Sequence, residues 1–427
     1  MRITGPVLVG LMVVLAALLG WQTYLPFGAD TALGISLGAA SLAAMSVTLM
    51  LATRPRFLEP LFGGLDRMYV VHKWLGITAL ALMIGHDAFE PELDRVVRET
   101  NLGEFASDLG ELAFNGLIGL ILISWIKRIP FTRLELPWPL WRFTHRFTGL
   151  LFAFAAFHQL AIDKPAGLDP SLDLYLDVLS VAGILAWLYT QFVALRIRPR
   201  PYEVVDVSRH ATVTELELRP AGSSLLGSSM QWRPGQFAFV SATGAGMSES
   251  HPFTIASAPD RSGHLRLAIK SLGDWTRKLP DRLRPGQLVQ IEGPYGRFCF
   301  KPRVRHQVWL AGGVGITPFL SWAQALTPGD GQTIVLVWSV ARHEDVFATE
   351  VLTQACERHP GFSFHVVVSE TQGRLTAQQL AKYSPVPVRD SELFYCGPVG
   401  LCASIMDGLR QMGQSPRRLH QEKFEFR

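Results

Sequence analysis

Residues 72–86 read HKWLGITALALMIGH, an apolar run that begins and ends with histidine. Comparable runs fill most of the chain up to residue 195, and a helix needs about 20 residues to cross the hydrocarbon of a bilayer. Open strands cannot span lipid, so we predict that these runs are helices. They lie at 6–24, 31–53, 68–86, 112–126, 147–162 and 178–195. The sequence therefore predicts a six-helix transmembrane bundle, whose short fourth and fifth runs are lengthened by snorkelling Lys and Arg side chains.

The composition agrees with a membrane half followed by a soluble half. Of 427 residues, 48% are hydrophobic and only 18% are charged, where a soluble protein carries about 25% charged residues. This argues against a disordered chain and against a purely cytosolic enzyme. The formal net charge of +4 is too small to indicate a nucleic-acid partner. The four cysteines form no CxxC pair, so neither a disulfide framework nor a zinc site is expected.

Basic residues in the short loops predict the orientation of the helices. The loop between the first two runs has no Lys or Arg, and the stretch 87–111 is acidic. That stretch has only Arg95 and Arg98 against eight acidic residues. Three basic clusters follow the second, fourth and sixth runs: Arg54, Arg56, Arg67 and Lys73; Lys127, Arg128, Arg133, Arg142 and Arg146; and Arg196, Arg198 and Arg200. We therefore expect a multi-pass protein of a bacterial-type inner or plasma membrane, with both termini cytoplasmic. A cleaved signal peptide is the alternative for the first run.

Two of the predicted helices carry two histidines each. His72 and His86 are fourteen residues apart on the third run, and His145 and His158 are thirteen apart on the fifth. Both helices are expected to run from the cytoplasm outward, which places His72 opposite His145 and His86 opposite His158. A rise of 1.5 Å per residue separates the two layers by about 20 Å. Paired imidazoles in apolar surroundings are typical of six-coordinate haems, so we predict two b-type haems.

The spacing also predicts an irregularity. At about 100° per residue, fourteen residues return to within about 40° of the same helix face, whereas thirteen miss it by about 140°. The helix with His145 and His158 must therefore kink or present its two imidazoles at different angles. Four histidines with purely structural hydrogen bonds are the alternative. Four basic residues could bind haem propionates or act only as cytoplasmic topology signals: Arg67, Lys73, Arg142 and Arg146.

The soluble half contains two kinds of strand pattern. Short alternating segments broken by Pro-Gly turns predict a small antiparallel barrel. They are Tyr202–Val207, Gln236–Val240, His264–Lys270 and Gln287–Glu292. Apolar runs that alternate with helical stretches then predict a parallel α/β sheet. These are Val308–Ala311, Thr333–Trp338, Phe364–Val368 and Leu393–Tyr395.

The first run of the α/β part leads into a glycine-rich turn. Glycines allow a backbone to approach a pyrophosphate, and a proline suits the first turn of a helix whose free amides face an anion. A tight turn without a ligand is the alternative for this motif alone. It is one of six motifs in a fixed order: His251-Pro252-Phe253-Thr254, Lys270 with Gly273-Asp274-Trp275-Thr276, Gly293-Pro294-Tyr295-Gly296, Gly312-Gly313-Val314-Gly315-Ile316-Thr317-Pro318, Tyr395-Cys396-Gly397-Pro398 and Phe424-Glu425-Phe426-Arg427.

This ordered series resembles the ferredoxin-NADP reductase superfamily, in which a barrel binds FAD and an α/β domain binds NAD(P)H. Together with the four-histidine membrane half, the whole chain is similar to the ferric reductase/NADPH oxidase family. The resemblance implies three domains: a transmembrane di-haem domain at 1–200, an FAD-binding barrel at 201–303 and an NAD(P)H-binding α/β domain at 304–427.

The resemblance also assigns roles to residues. His251, Pro252 and Phe253 match a loop beside the flavin, and the Thr254 hydroxyl is implied to bond the edge of the isoalloxazine. Four residues match the element that holds the FAD pyrophosphate: Lys270, Gly273, Trp275 and Thr276. Five match the phosphate loop for NAD(P)H: Gly312, Gly313, Gly315, Thr317 and Pro318.

The remaining implied residues lie close to the reacting rings. Cys396, Gly397 and Pro398 match a motif beside the nicotinamide, where Cys396 is a positioning residue rather than a redox thiol, or simply a buried small residue. A terminal aromatic, Phe424 in preference to Phe426, is implied to cover the flavin ring. Thr254, Cys396 and Phe424 are therefore the residues expected at the reacting centre.

The expected activity is transfer of electrons from cytosolic NADPH through FAD and two haems to an acceptor outside. Arg342 and Arg374 could chelate a ribose 2′-phosphate, which favours NADPH over NADH. The acceptor is expected to be molecular oxygen or a ferric chelate. A quinone- or partner-protein-linked carrier, and a membrane-anchored flavin diaphorase without haem, are the alternatives. Membrane lipid is an expected partner, and no particular protein partner is indicated.

Overall fold

We describe a computed structural model of the chain. The described residues are 3–89, 93, 100–125, 138–222, 227, 229–242, 244, 246–301, 303–327 and 331–422. Parts of the loops used above to predict orientation lie outside these ranges, including Lys127, Arg128 and Arg133, as does the tail from residue 423. The chain divides into two compact units, Met1–Arg196 and Ile197–Arg427. They are called the membrane unit and the soluble unit below.

In its described residues, the regular secondary structure of the membrane unit consists of helices. Its helices are α1 (Thr4–Tyr24), α2 (Ala29–Ala52), α3 (Glu59–Phe62), α4 (Leu65–Ala88), α5 (Asn101–Trp125), α6 (Trp138–His145), α7 (Thr148–Ala161), α8 (Ser171–Leu188) and α9 (Ala194–Ile197). Within the described residues, five helical segments are long and apolar enough to cross a membrane. They correspond to five of the six predicted runs, so the chain is a multi-pass membrane protein.

The remaining run, predicted at 147–162, differs from the expectation of one continuous span. It forms the 14-residue helix α7, and His145 ends the separate helix α6. Between them the amides of Arg146 and Phe147 bond carbonyls three residues back, at 3.3 and 3.0 Å, which tightens the turn. The indole nitrogen of Trp187 donates to the Arg146 carbonyl at 3.1 Å. The sequence predicted either a kink or two imidazole orientations for His145 and His158, and the structure has a helix break between them.

Helix α2 lies at the centre of the membrane unit, because it packs against α1, α4 and α8. Small buried residues such as Ala39 and Ala43 allow this close approach. The hydroxyl of Ser41 donates to the Ala79 carbonyl of α4 at 2.8 Å, and that of Ser46 donates to the Leu179 carbonyl of α8 at 2.5 Å. The Ser41 bond ties α4, which carries two of the histidines, to α2, and the Ser46 bond ties α8 to α2.

The soluble unit begins with an antiparallel barrel. Its strands are β1 (Arg200–His210), β2 (Val213–Pro220), β3 (Phe237–Ala242), β4 (Met247–Thr254), β5 (Leu265–Lys270) and β6 (Leu288–Tyr295). They hydrogen-bond in the order β4-β3-β6-β1-β2-β5. A bridge between Ile255 and Leu267 joins the two ends of this order. Helix α10 (Asp274–Arg282) follows β5. The predicted barrel strands are confirmed.

The second part of the soluble unit is a parallel α/β sheet, as predicted. Its strands are β7 (His306–Gly312), β8 (Thr333–Val340), β9 (Phe362–Val368), β10 (Glu392–Cys396) and β11 (Arg418–Gln421). They pair in the order β11-β10-β7-β8-β9. The helices between them are α11 (Thr317–Ala325), α12 (Thr349–Arg358), α13 (Ser369–Gln372), α14 (Ala377–Tyr383) and α15 (Val399–Gln411). Three fully buried tryptophans fill one side of the sheet: Trp309, Trp322 and Trp338.

Hydrogen bonds link the barrel to the α/β sheet. The Trp322 indole donates to the Pro234 carbonyl at 3.1 Å, and the buried Ser321 hydroxyl donates to the Ser257 carbonyl at 2.7 Å. The amide of Ala258 donates to the Gln324 side chain at 2.9 Å. All three contacts come from α11, the helix that follows the glycine-rich turn. The turn is therefore held at a fixed position relative to the barrel.

Candidate functional site

The structure brings together the predicted histidine pair His72 and His145. Their ring centroids are 6.4 Å apart and their planes are inclined by 66°. A metal–imidazole bond is about 2 Å long and the ring centroid lies about 1 Å behind the nitrogen, so two imidazoles on opposite sides of one metal have centroids about 6 Å apart. The observed separation fits one iron between the two rings. His86 and His158 also lie close enough to interact electrostatically.

All four histidines use the Nδ1 atom for a contact with a neighbouring helix. Three of these atoms lie beside main-chain carbonyl oxygens: His72 at 3.0 Å from Thr48, His86 at 2.8 Å from Gly34 and His158 at 2.9 Å from Ala106. The fourth, that of His145, lies 3.1 Å from the Ser124 hydroxyl. A carbonyl can only accept, so Nδ1 carries the proton in the first three.

The remaining nitrogen is thereby available as a ligand. Among the described residues, no hydrogen bond involves the Nε2 atom of any of the four histidines. Metal-bound histidines commonly donate the other ring N–H to a carbonyl or carboxylate, which fixes the tautomer and the ring orientation. The donor set therefore fits two bis-imidazole haems.

Two glycines make room for the imidazoles. A Cβ atom on Gly38 would lie 2.8 Å from Nδ1 of His86, and one on Gly110 would lie 2.5 Å from Nδ1 of His158. Both distances are too short for any larger residue without displacement of the ring. The helix backbones of α2 and α5 therefore approach these histidines directly.

The flavin-loop residues of the sequence prediction form one cluster on the barrel. The ring of Trp275 lies 4.8 Å from that of His251 and 5.6 Å from that of Phe253, measured between centroids. His251 also contacts the Glu249 carboxylate at 3.2 Å. The indole nitrogen of Trp275 is buried and has no hydrogen-bond partner among the residues that the structure describes. A buried donor without a partner costs about 1–3 kcal/mol, so this atom fits a ligand acceptor such as FAD.

Thr254 lies at the end of β4 and is buried, with 6% of its surface exposed. It pairs with Phe237 of β3, which in turn pairs with Tyr295 of β6. Within the described part of the chain, no protein group hydrogen-bonds its hydroxyl. The Thr254 hydroxyl is therefore free to bind a flavin edge.

The turn before α10, predicted to hold the FAD pyrophosphate, uses two of its own amides within the chain. The Thr276 hydroxyl accepts the amides of Leu272 and Gly273 at 2.9 and 3.0 Å. These two amides are therefore satisfied within the chain. The first-turn amides of α10 itself, rather than that of Gly273, are the ones that can face an anion.

The glycine-rich turn and the Cys396-Gly397-Pro398 segment pack backbone against backbone. A Cβ on Gly315 would lie 2.2 Å from the Cys396 carbonyl oxygen, and one on Gly312 would lie 2.7 Å from Pro398. Parallel pairing of β7 with β10 brings the two motifs to the same sheet edge. Two of the glycines are therefore required by this packing, in addition to any approach by a phosphate.

Gly313 is the glycine that leaves room for a ligand. Its φ of +56° favours glycine, and a Cβ there would meet only one atom within 4 Å, the Lys270 ammonium nitrogen at 3.9 Å. The Gly313 carbonyl accepts the Trp338 indole N–H at 2.8 Å, which fixes the turn. The structure thus places Lys270, predicted as a flavin-phosphate residue, beside the nucleotide turn. A cation beside an open glycine fits a phosphate.

Arg342 follows β8 and is exposed, as expected for a group that selects the 2′-phosphate. Its guanidinium, however, contacts the Glu344 carboxylate at 3.0 Å. Glu344 first, and Glu370 more weakly, raise the pKa of Arg342 above its ordinary value. A 2′-phosphate must therefore compete with carboxylates for this cation. Arg374 is exposed as well.

One buried acid of the site was missed by the sequence prediction. Glu422 is only 9% exposed and follows β11. A Cβ on Gly296 would lie 2.8 Å from its carboxylate and 2.9 Å from the Phe237 ring. Burial, and then the Glu422 carboxylate, raise the pKa of the Cys396 thiol. The thiol is therefore protonated at neutral pH, in agreement with a positioning role rather than a redox role.

These contacts bring several predicted residues into one neighbourhood. Thr254 pairs with Phe237, Phe237 adjoins Gly296 and Glu422, and Glu422 faces Cys396. Phe424 and Phe426 lie outside the described residues. The structure thus brings Thr254 of the barrel and Cys396 of the sheet, both predicted at the reacting centre, into the same neighbourhood.

Three family models match the chain, one after another. The ferric reductase like transmembrane component matches residues 37–156, an FAD-binding domain matches 224–298 and an oxidoreductase NAD-binding domain matches 309–407. The first match includes His72, His86 and His145 and ends two residues before His158. The second and third include Thr254, Lys270, and the glycine-rich and Cys396 turns.

Curated relatives match about half of the chain. NADH-cytochrome b5 reductase 1 of Pyricularia oryzae is 26% identical over 230 residues, which are 49% of this chain and 72% of that protein. NADH-cytochrome b5 reductase 1 of Dictyostelium discoideum is 27% identical and covers 42% of this chain and 66% of its own length. The match to two other relatives, from Mortierella alpina and Arabidopsis thaliana, spans 64% and 51% of their own lengths.

Among solved structures, the Amycolatopsis cytochrome P450 reductase GcoB has a TM-score of 0.45 and 22% identity. The match covers 53% of this chain and 70% of that one.

Proposed function

From the domain architecture of the ferric reductase/NADPH oxidase family, which this chain has, we propose a complete relay of electrons across the membrane. The chain is a membrane electron-transfer oxidoreductase with FAD- and NAD-binding domains. In the proposal, electrons pass from cytosolic NADPH through FAD and two bis-histidine haems to an acceptor outside. That acceptor is molecular oxygen, which would become superoxide, or ferric iron.

One observation carries this proposal. The His72 and His145 rings are separated by the distance that a shared iron requires, and all four histidines have Nδ1 occupied and Nε2 available. A purely structural histidine has no need for this common arrangement. His72 with His145 would hold one haem, and His86 with His158 the other.

The soluble unit would hold the electron donor. Thr254 would bind the flavin edge, and His251, Phe253 and Trp275 would line its pocket. Lys270 and the amide turn at Gly313 would bind phosphate, while Arg342 would attract the 2′-phosphate that favours NADPH. When bound, FAD takes two electrons from NADPH and releases them singly, which suits haems that carry one each.

The chain's own residues need perform no acid–base or nucleophilic step in this relay. The Cys396 thiol stays protonated, and Glu422 is buried beside it, so both shape the place where the two rings meet. The histidines serve as ligands. In this proposal the protein therefore acts by positioning the cofactors, by excluding water and by placing charged side chains beside the ligands.

The proposal is tested with the purified full chain in lipid nanodiscs. Addition of NADPH without oxygen should bleach the flavin absorbance and then develop the α band of low-spin haem. A chain in which the flavin bleaches while no haem band develops would contradict the relay and support a flavin diaphorase.

The acceptor is identified in a second assay on the same preparation. Superoxide dismutase-sensitive dye reduction indicates oxygen as the acceptor. Ferrous-chelator trapping that resists superoxide dismutase indicates ferric iron. Activity that appears only with an added quinone or partner protein would contradict both.

A further inference from the structure

His145 differs from the other three histidines in how its imidazole is held. The others face main-chain carbonyls of α2 or α5, which no side-chain substitution removes. His145 faces the side chain of Ser124, at 3.1 Å. It is therefore the one candidate ligand whose orienting partner is encoded by a replaceable residue.

The Ser124 hydroxyl has a defined direction. Its oxygen lies 2.7 Å from the Leu120 carbonyl, which can only accept, so the hydroxyl proton is donated there. The same oxygen then offers only lone pairs to His145. The His145 Nδ1 must therefore donate, which leaves Nε2 deprotonated and able to bind a metal.

The helix break makes this contact more important. His145 ends the eight-residue helix α6, and two turn residues separate it from α7. The helix that carries His158 therefore does not fix the orientation of His145. Within the described residues its ring contacts are with His72, at 6.4 Å, and with Trp141 of its own helix, at 5.1 Å. Ser124 is the hydrogen-bonded link from His145 to the long helix α5.

We propose that Ser124 is the positioning residue of the haem held by His72 and His145, and that its hydroxyl sets the reduction potential of this haem and not of the other. The inference rests on the proposed function. An acceptor for Nδ1–H raises the basicity of the imidazole, which stabilises the oxidised iron. Removal of the hydroxyl leaves that N–H without an acceptor in apolar surroundings and favours the reduced iron.

The test is a spectroelectrochemical titration of the full chain in nanodiscs, where the wild type should give two one-electron haem couples. A His145→Ala variant retains only the His86/His158 haem and so assigns the couples. In Ser124→Ala, the reduction potential of the His72/His145 haem should rise by about 59 mV, which is about a tenfold change in its reduced-to-oxidised ratio for one electron. The other couple should stay in place. Loss of the His72/His145 haem alone would equally support the proposal.

Two further variants separate positioning from folding. Ser124→Thr keeps a hydroxyl and should restore the wild-type potential. Ser41→Ala removes a buried hydroxyl that donates to a carbonyl of α4 and, among the described residues, hydrogen-bonds none of the four histidines, so it should move neither couple.

Three results would overturn the inference. In Ser124→Ala, both haem couples could stay unchanged, both could shift equally, or both haems could be lost. Each of these results would show that Ser124 has no selective role. The haems of the wild type would still support the relay. A wild-type chain without haem couples would instead overturn the proposed function and this inference with it.

Discussion

The membrane unit and the soluble unit hold their candidate binding residues by different means. In the membrane unit, main-chain carbonyls of neighbouring helices orient three of the four histidines, and glycines bring those backbones close. In the soluble unit, glycines pack one turn against another, and exposed or half-buried side chains such as Lys270 and Arg342 remain for the ligand. We therefore expect the four histidines to be held more rigidly than the residues around the nucleotide turn.

The largest effect is expected from loss of a ligand. His145→Ala should remove one haem completely and abolish reduction of the remaining haem by NADPH, because the first haem would keep only one of its two imidazole ligands. Flavin reduction should persist. The check is anaerobic stopped-flow absorbance, with His264→Ala of the soluble unit as the control that keeps both haems. Haem reduction at the normal rate in His145→Ala would show that the order of the relay is wrong.

A second substitution tests the packing of the soluble turns. Gly315→Ala places a methyl group 2.2 Å from the Cys396 carbonyl oxygen, so one of the two turns must move. A displacement of about 1 Å at a reacting site costs about 100-fold in rate, and we expect a loss of that order in flavin reduction by NADPH. Gly400→Ala, with no atom within 4 Å of its Cβ, is the matched control. Equal rates in the two variants would refute the packing argument.

The corresponding substitution in the membrane unit should be milder. Gly110→Ala places a methyl group 2.5 Å from Nδ1 of His158, and we expect about tenfold weaker binding of the His86/His158 haem. Gly119→Ala, on the same helix, meets no atom within 4 Å and should leave haem content unchanged. Haem per protein after size-exclusion chromatography gives the comparison. Full haem occupancy with an unshifted spectrum in Gly110→Ala would show that this contact does not orient His158.

The smallest effect concerns the choice of nucleotide. Glu344 neutralises Arg342, so Glu344→Gln should lower the KM for NADPH about threefold at low salt and leave the KM for NADH unchanged. The gain should shrink at high ionic strength because exposed charges are screened. Glu350→Gln, an exposed acid on α12, is the control. An equal change for NADH and NADPH would mean that Arg342 does not contact the 2′-phosphate.

Much of the architecture was predictable because burial in lipid and burial in a sheet leave different patterns. Long apolar runs predicted the membrane helices, and the strand runs predicted the barrel and the parallel sheet. The thirteen-residue spacing of His145 and His158 predicted either a kink or two imidazole orientations, and the structure shows a break between α6 and α7. The same periodicity could not tell that α7 is only 14 residues long.

The contacts that complete the site were not predictable from the sequence. The acceptor of His72 is Thr48 and that of His158 is Ala106, and both are main-chain atoms chosen by helix packing rather than by residue type. Glu422 belongs to no recognisable motif and became apparent only through its burial beside Gly296 and Cys396. The sequence shows that Arg342 and Glu344 carry opposite charges, but it does not show that their side chains form an ion pair.

The central claim is that four imidazoles bind two irons in pairs. Low-temperature electron paramagnetic resonance of the oxidised full chain, combined with chemical haem and flavin quantification, tests it most directly. Two low-spin, bis-imidazole ferric signals and two haems per FAD are expected. High-spin signals, a single haem, or flavin without haem would contradict it.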